Sequence, residues 1–337
     1  MARSLKSQFR VRPQFLFVVV VLLFTVWIAC TQPIFLNLSN VQVSNKASST
    51  NLKRDVRKIS EDFFPRDFES IENLNRLADY LKTQFQQFSS DVQEQKYSGG
   101  HFEYKNIIVK FGPSTRPVVV IGAHYDSCEK YPGADDNASG IAGLIELARL
   151  LKQHPPTAVS VELVAYSTEE PPFFGSDEMG SFIHARSLKA KGLDVRAMLS
   201  LEMIGYFSDV WGSQDFPAYM MRLFYPTKGN FIAVVSNFSS YSLTKQIKRA
   251  MQPASDLPVY SINGPSTLYG IDYSDHRNYW HFGFPAAMIT DTAFLRNKAY
   301  HKSEDTFDRL DYEKMAKVID GVYNTTFSFD VAADLKR

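Results

Sequence analysis

From residue 70 onward the apolar positions follow two periods. Ile71, Leu74, Leu77, Leu81 and Phe85 are spaced three and four apart, which places them on one face of a helix over 71–89. The same spacing in Ile141, Leu144, Ile145, Ala148 and Leu151 predicts a helix over 139–153, stopped by Pro155-Pro156. Between these lies an unbroken apolar run, 117–123 (PVVVIGA), the mark of a strand covered on both faces. Further strands are expected at 92–97 and 104–111, joined through Gly99-Gly100, and at 159–166, 197–201, 231–235 and 286–290. Helices are expected at 177–190, 241–252 and 312–333. Strands alternating with helices predict an α/β fold: three layers, α/β/α, around a mostly parallel mixed sheet. The segment 205–230, rich in Gly, Pro, Trp and Tyr, fits neither period and is expected to form a lid or a substrate wall.

The first 55 residues follow other rules. Arg3, Lys6, Arg10 and Arg12 precede an uncharged apolar run from Phe15 to Ala29, the layout of an export signal. Uncharged sequence continues to Leu38, so a retained membrane anchor also fits, with the basic flank inside. Cys30 after Ala29 adds a lipoprotein reading, against which Trp27 is bulky. Residues 31–55 are rich in Asn, Ser, Gln and Thr and read as a linker. The expected organisation is a signal or anchor at 1–30, a linker at 31–55 and a catalytic domain at 56–337. On this reading the domain lies outside the cytoplasm, periplasmic, secreted or tethered to the membrane.

Composition narrows the function. The 337 residues carry a net charge of +1, which gives no electrostatic footprint for nucleic acid. There are 26 Phe and 17 Tyr, enough for a well-filled core. Only Cys30 and Cys128 are present; with Cys30 in the signal region, no intrachain disulfide is available. Cys128 reads as a small buried apolar residue. Neither Gly-x-Ser-x-Gly nor a P-loop motif occurs, which removes support for serine and nucleotide chemistry.

The candidate chemistry is a series of acids and imidazoles: His124-Tyr-Asp126, Asp135-Asp136-Asn137, Glu169-Glu170, Glu202 and His301. Carboxylates and imidazoles hold zinc where thiolates are not used. Five such positions exceed one tetrahedral metal and suit two that share a bridging carboxylate. Their placement is informative: His124 and Asp126 follow one predicted strand, Glu169-Glu170 a second, Glu202 a third and Asp291 a fourth. In α/β sheets ligands bind beyond the carboxyl ends of the strands. Glu202 sits in an apolar run (MLSLEMIG), where an unpaired charge is costly. His101, His154, His184 and His281 lack supporting carboxylate spacing and read as structural or surface residues.

Taken together, His124-Tyr-Asp126-Ser, Gly133-Ala-Asp-Asp136-Asn-Ala-Ser-Gly140, Glu169-Glu170, Glu202-Met and His301-Lys-Ser-Glu-Asp305-Thr306 resemble the zinc-dependent exopeptidases of the bacterial leucyl aminopeptidase and aminopeptidase Y family. Glutamate carboxypeptidase II and the glutaminyl cyclases are more distant members. The likeness runs from about 117 to 310. It implies two zinc ions bridged by Asp136, one completed by His124 and Glu202 and the other by Glu170 and His301. It implies Glu169 as general base, Asp126 as the residue orienting His124, and peptides with a free N-terminus as substrates. Ser274-Asp275-His276 matches a segment near the substrate pocket of some members, which makes Tyr273 and His276 candidate oxyanion donors. Tyr206 and Phe174, with Phe173, Phe207 and Trp280, are candidates to line an apolar pocket, each of which could equally belong to the core. Glu202 stands where many aminopeptidases have Asp. Two alternatives remain: a cyclase-like transferase with one zinc on Asp136, Glu170 and His301, and a non-catalytic binding domain, which would be expected to lose ligands that are all present here.

Overall fold

The fold was obtained as a computed structural model, which describes residues 13–33, 46–115 and 117–334. In chain order the main elements are α1 Pro13–Thr31, α2 Ser49–Asp62, α3 Ile71–Gln86, β1 Val92–Gly99, β2 Phe102–Phe111, β3 Val118–His124, α4 Gly140–Gln153, β4 Ser160–Tyr166, α5 Gly180–Ala190, β5 Val195–Glu202, β6 Ile232–Asn237, α6 Tyr241–Met251, β7 Val259–Gly264, α7 His276–His281, β8 Ala286–Thr290 and α8 Tyr312–Asp334. The eight strands form one sheet in the order β1-β2-β4-β3-β5-β8-β6-β7. The centre is parallel, β4 to β3 to β5 to β8. β6 enters antiparallel to β8, and β1 and β2 make an antiparallel edge. This is the mixed, mostly parallel sheet that the sequence pattern implies.

The apolar run of β3 is divided by the pleat. Val119, Ile121 and Ala123 join the larger core under α4 and α8, while Val118 and Val120 face the other way, among Val164, Met198, Leu188 and Tyr279. Both faces of the central strands are thus covered, and every residue of β3 and β4 is buried. Consecutive side chains in a strand point to opposite faces, so a two-sided core requires apolar residues without alternation.

Three elements depart from the expectation. α2 begins at Ser49, inside the segment read as linker. Ser48 caps it by accepting the Asn51 amide, and Leu52, Val56 and Ile59 are fully buried. Its charged positions (KRDVRK) mask that narrow apolar face. β7 was not anticipated because Asn263 and Gly264 weaken a six-residue strand pattern. α7 is only six residues long, too short for periodicity to register. The linker residues 34–45, and residues 1–12 of the signal or anchor region, lie outside the described residues. Over the described residues, no helix is long and apolar enough to cross a membrane. The end of α1 docks on the domain: Lys248 Nζ donates to the Thr31 carbonyl at 2.8 Å, and Ser261 Oγ does the same at 2.8 Å.

Candidate active site

The acids and imidazoles gather beyond the carboxyl ends of the parallel strands. His124 is the last residue of β3 and Glu202 the last of β5. Glu169 and Glu170 follow β4, and Asp136 lies in the tight turn 134–139 that leads from β3 into α4. His301 comes from the loop before α8, its ring stacked on Tyr300 at 3.7 Å. His124, Asp136, Glu169, Glu170 and Glu202 are all buried.

Their distances fall into two sets that share one residue. Asp136 Oδ1 is 3.2 Å from His124 Nε2, and Asp136 Oδ2 is 3.2 Å from His301 Nε2. His124 Nε2 is also 3.4 Å from Glu202 Oε2, and His301 Nε2 is 3.2 Å from Glu170 Oε2. Neither Nε2 makes an aligned hydrogen bond, although both are buried. Donors about 2.0–2.1 Å from a tetrahedral ion stand about 3.3–3.4 Å from one another. The spacing suits metal ligation, with His124, Asp136 and Glu202 as one set of donors and His301, Asp136 and Glu170 as another. Glu169 Oε2 stands further off, 3.8 Å from His124 Nε2.

Charge leads to the same place. Burial lifts the Glu169 carboxyl well above its usual range; His124 opposes the shift, while Glu202 and Glu170 add to it. Burial, reinforced by Asp136, lifts Glu170 to about 7. For both imidazoles burial works against the charged form, yet the surrounding carboxylates outweigh it and raise them far above the ordinary range. Four carboxylates packed around two imidazoles in a low-dielectric site need compensating positive charge, which divalent cations supply.

A layer of hydrogen bonds holds these groups. His124 Nδ1 lies 3.1 Å from the main-chain carbonyl of Asp126 and 3.6 Å from its carboxylate, so it is the carbonyl that orients the ring. The Asp126 carboxylate instead accepts the Glu170 amide at 3.0 Å. Asp126 thus acts on two site residues by a route different from the expected carboxylate–imidazole contact. Ser274 Oγ donates to Glu202 Oε2 at 2.8 Å. Asn137 spans the turn and the end of β5, donating to the Leu201 carbonyl and accepting the Met203 amide. Arg66, fully buried, donates to the carbonyls of Tyr125, Pro132 and Gly133 and so braces the 125–133 loop. At Gly133, with φ +54°, a Cβ would come within 2.2 Å of the Asp136 carbonyl. Thr168, Met203 and His301 also adopt left-handed φ values, 60°, 47° and 53°. Such backbone persists only where its surroundings enforce it, and these three lie at or beside site residues.

Beside the carboxylates opens a cavity of about 350 Å³. Its far end is apolar, formed by Met221, Phe231, Ala233, Ile262, Leu268 and Met288 among others. No lysine or arginine is among the lining residues. Phe174 and Tyr273 line it. His276 does not: it is fully buried, bonded through Nε2 to the Ile271 carbonyl, edge-on to Trp280, and burial lowers it to about 4. Tyr206 is also outside the lining; its amide donates to Asp291. Phe173 belongs to the core. The irregular 205–230 segment supplies Gln214, Phe216, Pro217, Met221 and Tyr225 and so forms a wall.

The supporting roles of Arg66, Asn137, Ser274 and Asp305 were missed in the sequence as roles, although the last three lie within the quoted motifs. Arg66 offered only a weak signal, a lone cation in an aromatic stretch (FFPRDF).

Residues 106–326 match peptidase family M28. An uncharacterized protein of Escherichia coli, YfbL, is 49% identical over 292 residues, covering 84% of this chain and 88% of that one. The probable aminopeptidase YDR415C of Saccharomyces cerevisiae is 29% identical, covering 77% of this chain and 68% of its own. The LapA aminopeptidase of Legionella pneumophila has the same fold, with a TM-score of 0.67 at 21% identity over 84% of this chain and 72% of LapA. The family expected from the motifs is the one found: the chain belongs to peptidase family M28.

Proposed function

We propose that the protein is an exported aminopeptidase that removes apolar N-terminal residues with a two-zinc centre and Glu169 as general base. The observation that carries this reading is Asp136, whose two oxygens face two different imidazoles at 3.2 Å each, each imidazole being shared with a second carboxylate. Zinc bound by such a donor set polarises a scissile carbonyl and brings the pKa of water toward neutrality. Glu169 borders the same cavity without belonging to either donor set, which suits it to take the proton of the attacking water and pass it to the departing amine. Among the described residues no lysine or arginine lines the cavity, so it offers nothing to hold a C-terminal carboxylate. This supports aminopeptidase over carboxypeptidase action. The apolar far end suits a bulky aliphatic or aromatic side chain. A single-zinc cyclase would leave the His124–Glu202 set without a task. Export rests on the basic residues and apolar run at the N-terminus.

Metal analysis of the full chain, combined with amino-acid release from peptides of defined N-terminus, tests the reading. Two zinc ions with stepwise release of Leu, Met or Phe support it. Cyclisation of N-terminal Gln with one zinc, or no release from any peptide, would overturn it.

A further inference from the structure

Cys128 was read from the sequence as a small buried apolar residue. In the fold it is half-buried, four residues beyond His124, and its sulfur falls within 4.8 Å of a donor atom from Glu170 and one from His301, the three lying mutually within that distance. A cysteine beside an acid and a histidine is by itself a weak signal. The neighbours strengthen it. Glu170 is 4% exposed and keeps Oε1 buried without a hydrogen-bond partner, as does His301 with Nε2. Both unpartnered atoms belong to the same half of the site.

Resting on the metal reading above, we propose that Cys128 is a fourth protein ligand of the ion held by Asp136, Glu170 and His301. A metal–sulfur bond of about 2.3 Å with a metal–nitrogen bond of about 2.0 Å places S and N about 3.5 Å apart in a tetrahedron. The observed cluster, mutually within 4.8 Å, is looser than this, and ligation would draw the three donors together. On ligation the S–H bond breaks, its proton leaves to solvent and the sulfur lone pair forms the bond to the metal, so one extra proton is released per chain.

The consequence is an asymmetric pair. Four protein donors close the His301 side, as in sites whose ion is held for structure. The His124 side has three protein donors and keeps a position free for substrate. A thiolate also biases the closed side toward thiophilic ions such as zinc, cobalt(II) and cadmium over manganese or magnesium.

Cobalt(II) loading of the full-length protein and of Cys128→Ser tests this independently of activity. The expected result is a near-ultraviolet thiolate-to-cobalt charge-transfer band in the wild type, lost in Cys128→Ser, with the variant still binding cobalt. Proton release on loading should fall by one per chain in the variant. Cys30→Ser should keep the band. Two bound cobalt ions in the wild type with no such band would overturn the role of Cys128 while leaving the two-metal reading intact. Failure to bind cobalt at all would overturn the metal reading, and this inference with it. Should Cys128→Ser prove unfolded, alkylation of the wild type decides: loading should protect Cys128, identified by peptide mass, and equal labelling with and without metal would overturn the proposal.

Discussion

The carboxylate of Asp305 accepts the amide of Asp136 at 3.1 Å and, with both oxygens, the amide of Asp135 at 3.1 Å. A side chain near the C-terminal helix thus fixes the main chain of the residue that faces both imidazoles. In metal sites, the partners that orient ligands usually account for 10- to 100-fold in affinity. Asp305→Ala should therefore weaken zinc binding by about 10- to 100-fold while the domain remains folded. Competition with a chromophoric chelator measures the affinity, and thermal melting checks the fold. Unchanged affinity would show that the turn is held by Asn137 and Arg66 alone.

Glu169→Gln keeps size and polarity but removes the base. Its expected effect is a loss of turnover of at least about 10²- to 10⁴-fold, with both metals retained. Metal content measured on the same sample as kcat separates this from a disturbed site. A variant with normal kcat would exclude Glu169 as the base.

The cavity makes a separate prediction about substrate choice. Ala233 lies on β6 and its side chain borders the apolar end. Ala233→Leu shortens that space by three carbons. One methylene of misfit costs about 1–3 kcal/mol, so kcat/KM for N-terminal Phe should fall by at least 10- to 100-fold relative to N-terminal Ala. A ratio left unchanged would place the side-chain pocket elsewhere.

Stability should depend on pH through Glu162, a charge in the middle of β4. Burial alone would raise its carboxyl. His184 Nε2 at 3.3 Å and Lys110 Nζ at 2.7 Å outweigh burial and lower it from 4.5 to about 2. A carboxylate with a depressed folded pKa stabilises above its unfolded value, and that contribution disappears as pH falls through the folded value. The contribution is on the order of 3 kcal/mol, present above about pH 5 and lost toward pH 2. Urea unfolding between pH 6 and 3 should show a smaller acid loss in Glu162→Gln than in the wild type. Equal slopes would mean that the pairing does not survive in solution.

Five helices and seven of the eight strands were legible because their apolar residues repeat at 3.6 or 2, or run unbroken. α2 was hidden by its charge, β7 by Asn263 and Gly264 within its pattern, and α7 by its shortness. The site was readable for a related reason. Residues that follow parallel strands all emerge at one edge of the sheet, so His124, Glu169, Glu170 and Glu202 could be placed together without coordinates. His276 and Tyr206 could not be placed. The His276 ring is fully buried against Trp280, and Tyr206 is not among the cavity's lining residues.

The sequence by itself determined the layered α/β plan and the common edge on which the acids and imidazoles gather, since these depend on local periodicity and on strand direction. Tertiary structure decided which carbonyl orients His124, that Asp305 holds the Asp136 main chain, that apolar side chains extend the cavity beyond the carboxylates, and that Cys128 stands beside Glu170 and His301. Those contacts join residues distant in sequence, Asp136 and Asp305 being 169 positions apart. Their geometry is set by how the loops pack over the sheet edge, which no local pattern encodes.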